Sequence, residues 1–268
     1  MKADLHSHTN FSDGKYSPDE LLDYAINNNI DIISITDHDT FSGVKEAVKI
    51  NKNIKVILGI ELSTYLNDES VHILGYFKNL DNVEKMEPIL NDLIIKRKSR
   101  AIVMLDKLEE FFNIKLDRSF LDDIQSITRG TISKEIIKQG YQYSNREIFT
   151  KMIGDGCPAY LPSTKMDTKF GIKLIKDAGG LAVLAHPMLL KKNDPINVVK
   201  LGVDGIEAIY PNQADKENIF RKIAKDNSLF ITGGTDFHYF NDGRHGNLGQ
   251  TYLSGDDLNI FLEKLDEC

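Results

Sequence analysis

One layout recurs along these 268 residues and restricts the fold more than any other feature: a short apolar run that stops at an imidazole or a carboxylate. Ile32-Ile33-Ser34-Ile35-Thr36 leads into Asp37-His38-Asp39, and Val56 to Ile60 ends in Glu61. Leu181 to Ala185 ends in His186, and Phe230 to Gly234 leads into Thr235-Asp236-Phe237-His238. At the start, Ala3-Asp4-Leu5 opens into His6-Ser7-His8 and a polar, Gly-containing stretch that carries Asp13. Buried strands ending in polar residues are the pattern of parallel-strand α/β folds, whose sites gather at the C-terminal strand ends. The expectation is convergence of residues far apart in sequence.

The convergent set would be His6, His8, Asp13, His38, Glu61, His72, His186, Asp236 and His238, which uses six of the seven histidines. In an extended segment residues i and i+2 project to one side, so His6 and His8 can reach one ion together. A lone histidine such as His72 is more often a structural residue. The set as a whole carries the argument, because clustered imidazoles and carboxylates mark metal sites and a buried, unpaired carboxylate is costly. Imidazole with carboxylate suits zinc, manganese or iron.

The motifs Asp4-Leu5-His6-Ser7-His8, Thr36-Asp37-His38, Gly59-Ile60-Glu61, His72, Ala185-His186-Pro187 and Asp236-Phe237-His238 resemble, in order, those of the PHP (polymerase and histidinol phosphatase) domain. The resemblance spans most of the chain. It implies an α/β fold, a distorted (β/α)7 TIM-like barrel, and metal-dependent phosphoesterase activity. It also implies that His6, His8, Glu61 and Asp236 hold one ion, that Glu61 bridges to a second held by His72 and His186, and that Asp13, His38 and His238 hold a third. Two or three ions of Mn2+, Zn2+ or Fe2+ would activate a bridging hydroxide for attack on phosphorus. Asp37 and Asp39, flanking His38, would orient ligating imidazoles or cap the strand.

Composition fits one barrel core with a modest appendage, at 41% hydrophobic and 27% charged residues. An 18-residue apolar stretch is missing, as are a signal-peptide pattern and a lipidation pattern, so a cytoplasmic protein without a membrane partner is expected. Only Cys157 and Cys268 are present, which excludes a disulfide scaffold or a thiolate zinc site. A net charge of −7 argues against a broad duplex-DNA surface. An anionic substrate must then be gripped locally, with bound cations making the cleft an anion trap.

Residues 1–80 and 161–268 alternate strand-like and helix-like segments, with Ser17-Pro18-Asp19-Glu20 a good helix start. Residues 81–160 lack strand-like runs. Met86 to Phe112 has amphipathic helical spacing, and Thr131 to Gln139 and Asn145 to Gly154 read as shorter helices, so this segment is a helical insertion shaping the substrate site. Within it Lys96, Arg97 and Arg100 form the densest basic cluster, and Arg129 stands at a helix entrance suited to an anion. Arg97, Arg100 and Arg129, with Lys96, Arg244 and His245 as weaker candidates, are the expected substrate contacts; a solvated helix flank or surface loop is the alternative.

The insertion, Arg129 and the Asp155-Gly156-Cys157-Pro158-Ala159-Tyr160 stretch are similar to the nucleotide and RNA-end branch of the family, which includes the bacterial protein TrpH. That branch implies removal of the 3′-phosphate from 3′,5′-bisphosphonucleotides or trimming of short 5′-phosphorylated RNA. Thr131 stands where the branch usually has His, and Cys157 where it often has a basic residue. A small-metabolite phosphatase of the histidinol-phosphate kind and a non-catalytic metal-binding regulatory protein remain alternatives.

Overall fold

A computed structural model describes residues 1–123, 127–162 and 166–268. They form two compact units, Met1–Glu87 with Lys165–Cys268, and Pro88–Thr164. These bounds lie a few residues beyond those read from the sequence. Val83 and Met86 are fully buried, and the Asn82 amide donates to the carbonyls of Ala178 and Gly179, which ties residues 82–86 to the first unit.

The first unit carries strands β1 (Lys2–Asp4), β2 (Ile32–Ile35), β3 (Lys55–Leu66), β4 (Glu69–Phe77), β5 (Met166–Asp167), β6 (Leu181–Leu184), β7 (Gly205–Ile209), β8 (Phe230–Gly233) and β9 (Leu253–Ser254). Its sheet runs β8-β7-β6-β4-β3-β2-β1-β9, with β5 paired to β3. Both faces of β2 and β6 are buried, as the unbroken apolar runs predict. The sheet curls into a nearly closed, TIM-like barrel. At the seam between β1 and β8 the Leu5 amide donates to Gly233 O at 3.2 Å and the His8 amide to Phe237 O at 2.9 Å.

Helices α1 (Pro18–Asn27), α2 (Ser42–Ala47) and α3 (Leu80–Glu84) follow β1, β2 and β4. In the second unit come α4 (Glu87–Phe112), α5 (Phe120–Asp123), α6 (Arg129–Lys138) and α7 (Asn145–Ile148) with a π-helical turn at Phe149–Ile153. Back in the barrel, α8 (Thr168–Asp177), α9 (Pro195–Val199), α10 (Ala214–Asp226) and α11 (Gly255–Asp266) complete the chain. Ser17 and Glu20 form the reciprocal cap that starts α1.

One expectation fails. The run ending at Glu61 does not stop there: β3 continues to Leu66, turns at Asn67 and Asp68, whose φ are 46° and 59°, and returns as the antiparallel β4. Paired left-handed residues at a two-residue loop match the twist of a hairpin. Because β4 runs the opposite way, His72 near its start lies at the same barrel end as the C-termini of the parallel strands. Ser63 pairs with His72 and Glu61 with Leu74, so alternation puts Glu61 and His72 on one face.

The second unit has its own core. Ala101, Met104, Leu105 and Leu108 of α4 are buried with Ile132 and Ile136 of α6 and Ile148, Met152 and Ile153. Thr128 caps α6: its side chain accepts from the Thr131 amide at 3.1 Å, and Thr131 Oγ1 accepts from the Thr128 amide at 3.2 Å.

Candidate metal centre

His6 and His8 leave β1 with ring centroids 5.2 Å apart, while Ser7 between them turns away and donates to Ser34 O at 2.8 Å. Asp13 sits on the loop beyond. That loop is held by Asp37, which accepts from the Thr9 amide at 2.7 Å, the Thr9 hydroxyl at 2.6 Å and the Ser12 hydroxyl at 2.6 Å. Asp39 accepts from the Ser63 amide at 2.9 Å. Both aspartates therefore anchor backbone around the site. Around the cluster Asp39 (φ 56°), His186 (φ 26°) and Asp236 (φ 52°) are left-handed, an arrangement that costs energy and concentrates at functional sites. Gly234 is required for close approach: a Cβ there would lie 2.6 Å from the His6 backbone.

Glu61 is the hub. Its Oε2 lies 3.3 Å from His6 Nε2, 3.3 Å from His8 Nε2 and 3.2 Å from His38 Nδ1, and its Oε1 lies 2.9 Å from His72 Nδ1 and 3.0 Å from His186 Nε2. Asp236 Oδ1 is 3.4 Å from His6 Nε2 and 3.2 Å from His8 Nε2. Asp13 reaches His238 Nε2 at 3.2 Å, and His8 Nδ1 and His38 Nε2 at 3.7 Å. All nine side chains are thus brought together. His6, His8, Glu61 and Asp236 form one group with ligand atoms within 4.8 Å of one another, and His8, Asp13, His38 and His238 form another. His8 belongs to both, an overlap the sequence reading does not contain. Glu61 and His72 group with His38, whereas His186 approaches through Glu61 Oε1.

The set fits divalent ions on its own geometry. His6 Nε2, both ring nitrogens of His8 and His38 Nδ1 are buried without a hydrogen-bond partner. Two ligands about 2.1 Å from a tetrahedral ion stand about 3.4 Å apart. The nitrogen-to-oxygen separations of 3.2 to 3.4 Å around Glu61 Oε2 and Asp236 Oδ1 match that spacing.

Charge in the cluster is strongly coupled. Burial opposes the ionised form of Glu61, yet His38, His72 and His6 hold it well below the usual carboxylate range, as His6 and His8 do for Asp236. Burial also opposes charge on His8, but Asp236 and Glu61 push it up to about 10, whereas burial leaves His38 lowered to about 4. Negative oxygens thus attract whatever positive charge is available, which in the holoprotein is the metal.

Residues outside the nine set the ring orientations. His238 Nδ1 donates to Asp236 O at 2.8 Å, which turns Nε2 toward Asp13. The Tyr210 hydroxyl donates to Asp236 Oδ2 at 2.7 Å. Glu207, on β7 and fully buried, lies 3.0 Å from His6 Nδ1. Sequence reasoning missed Glu207 and Tyr210; the signal is a carboxylate inside Gly205 to Ile209, another apolar run at a strand end. His245 pairs with Asp242 at 2.5 Å and stacks on His238 at 4.1 Å between centroids, which places it against the ligand set.

A cavity of about 510 Å³ adjoins the cluster, bordered by His72, His186, Leu190, Lys191, Tyr210 and Arg244. A larger one, about 800 Å³, is lined by Phe230, Arg221 and Asp257 at the start of β8 and includes none of the nine. Chemistry, not volume, marks the site. In the second unit Arg100 donates to Leu161 O at 2.9 and 3.1 Å, Arg129 pairs with Asp155 at 2.6 Å and lies over the Tyr160 ring, and Lys96 pairs with Asp92 at 2.5 Å. Burial and the nearby charges of Arg129 and Arg97 lower the Arg100 pKa, so three arginines share one neighbourhood.

Imidazoles and carboxylates gathered at one end of a TIM-like barrel are the arrangement of a metal-dependent hydrolase, and the family and relatives of this chain make it a metal-dependent phosphoesterase, an enzyme of the phosphoric ester hydrolase class. The chain belongs to the PHP domain family, whose profile matches residues 4–150. It is 30% identical over 250 residues to a 5′-3′ exoribonuclease of Haemophilus influenzae, covering 89% of this chain and 90% of that one. It is 27% identical over 258 residues to the 3′,5′-nucleoside bisphosphate phosphatase of Chromobacterium violaceum, covering 90% and 88%. A structure from Bifidobacterium adolescentis, assigned to the metal-dependent phosphoesterases, superposes with a TM-score of 0.81 at 26% identity, over 98% of this chain and 96% of that one.

Proposed function

We propose that this enzyme hydrolyses phosphate esters of nucleotides, removing the 3′-phosphate of 3′,5′-bisphosphonucleotides or trimming short 5′-phosphorylated RNA. The observation that carries the reading is the meeting of Glu61 and Asp236 with buried, partnerless imidazole nitrogens. Relatives named for both reactions support the substrate class. We assign His6, His8, Glu61 and Asp236 to one ion, Glu61, His72 and His186 to a second, and Asp13, His38 and His238 to a third, with manganese, zinc or iron suiting the donors. When bound, such ions lower the pKa of water and offset charge on phosphate oxygens. The chain's own part is positional. Asp37 holds the Asp13 loop, Asp39 holds β3 beside Glu61, and Tyr210 steadies Asp236.

Arg97, Arg100 and Arg129 are the preferred contacts to substrate phosphate, because the guanidinium fork suits phosphate and these three share one neighbourhood. Lys96, a point charge without the planar fork, ranks below them, and Arg244 and His245 lie beside the cluster in the barrel. The segment 81–160 then acts as the specificity element, and the cytoplasm, where phosphorylated nucleotides are formed, is the assigned compartment. Arg129→Ala should lower kcat/KM on bisphosphorylated substrates by about tenfold or more, equal to at least about 1.4 kcal/mol, with metal content intact.

The test is product release from 3′,5′-bisphosphoadenosine, a short 5′-phosphorylated RNA and histidinol phosphate, using manganese-reconstituted protein. Release from the nucleotide or the RNA supports the reading and ranks its two forms. Turnover of histidinol phosphate alone moves the assignment to a metabolite phosphatase, and silence on all three with metal bound revives the reading as a non-catalytic metal binder.

A further inference from the structure

Glu207 offers its two carboxylate oxygens to two different parts of the centre. Oε1 lies 3.0 Å from His6 Nδ1, and Oε2 accepts from the His186 backbone amide at 2.7 Å. The side chain is buried with 0% exposure, as is His6. An acceptor at Nδ1 requires the proton there, which leaves the lone pair on His6 Nε2, the atom facing Glu61 and Asp236.

The second contact acts on backbone. His186 is left-handed, with φ 26° and ψ 59°, and precedes Pro187, a pairing that the peptide resists. A carboxylate oxygen 2.7 Å from its amide holds that conformation, and with it the direction of the ring whose Nε2 meets Glu61 Oε1 at 3.0 Å.

We infer that Glu207 is a positioning residue that couples the His6 side of the metal centre to the His186 side, so that ions load on the two sides together. The inference rests on the reading that His6 and His186 are metal ligands. An ion on His6 fixes that ring against Glu207 Oε1, and a carboxylate fixed at Oε1 presents Oε2 in the position the His186 amide requires. Loading one side therefore prepares the other. Glutamine at this position keeps the shape but can accept through only one atom, so either the His186 contact is lost or the His6 contact is reversed, the amide donating to Nδ1 and the ring proton moving to Nε2.

Native mass spectrometry of the full chain at substoichiometric manganese, with NMR of the histidine ring nitrogens, tests it. Wild-type protein should show mainly metal-free and fully loaded species, and the His6 ring should have its proton on Nδ1. Glu207→Gln should populate singly loaded species, bind manganese about ten- to a hundredfold more weakly, and alter the His6 tautomer. Wild-type protein with a statistical spread of loaded species overturns the coupling. A variant with wild-type affinity and an unchanged His6 tautomer overturns the positioning role. Wild-type protein that binds no manganese, zinc or iron refutes the metal assignment instead, and the ring-nitrogen spectrum of the metal-free protein still decides whether Glu207 sets the tautomer. Should the glutamine variant fail to fold, Glu207→Asp, whose shorter carboxylate cannot span both contacts, gives the same comparison.

Discussion

Asp4 accepts hydrogen bonds from the Thr235 amide at 2.9 Å, the Thr235 hydroxyl at 2.5 Å and the His6 amide at 3.3 Å, and burial pushes its pKa up to about 7. It thereby pins β1 to the segment carrying Asp236. Asp4→Ala leaves buried donors unpaired, at about 1–3 kcal/mol each, so the urea midpoint should fall clearly; an unmoved midpoint would remove Asp4 from the closure of the barrel. Glu69 plays a different part, accepting from the amides of Lys191, Lys192 and Asn193 at 2.5, 3.0 and 2.7 Å. Burial opposes its charge, but those three amides hold its pKa below the usual value. A depressed carboxylate contributes stability above its unfolded pKa of about 4.3, and that contribution is lost as pH falls through the folded value. Wild-type protein should therefore melt above Glu69→Gln at pH 7, with the gap closing below about pH 4. A gap that is constant across the range would contradict this.

At the scale of the element, α6 depends on the reciprocal cap of Thr128 and Thr131. Thr131, a departure from the family branch in sequence, thus has a local structural use. Thr128→Ala should cost about 1 kcal/mol in thermal or denaturant unfolding and fray the turn that carries Arg129; a shift within error would show the cap to be redundant. This is also the scale on which legibility divides. Runs such as Leu181 to Ala185 and Phe230 to Gly234 could be read because an apolar segment stops abruptly at a polar residue. The antiparallel β4 could not, since Val71 to Phe77 has the same composition a parallel strand would have, and strand direction is decided by the turn at Asn67 and Asp68. Glu207 was hidden for a related reason: a carboxylate inside an apolar run says that something polar waits there, not which ring it meets. The overlap of groups at His8 depends on both of its nitrogens facing acids, which no spacing records.

For the whole molecule, the ligand-type residues are repelled by nothing so much as by their own burial, and ions offset that cost. Chelation should lower the melting temperature and manganese should restore it, since a ligand bound only by the folded state adds about 2.7 kcal/mol at a hundredfold excess over its Kd. Equal melting temperatures with and without chelator would contradict metal binding at this cluster. The barrel seam has a further consequence. Leu5 bonds to Gly233, and Asp4 to Thr235, across most of the chain. In synthesis His6 and His8 are made about 230 residues before Asp236 and His238, so the groups they share cannot form until that distant segment has been added. On the proposed ligand assignment, the ions that take Asp236 or His238 can be held only once that segment has been made and has closed the seam.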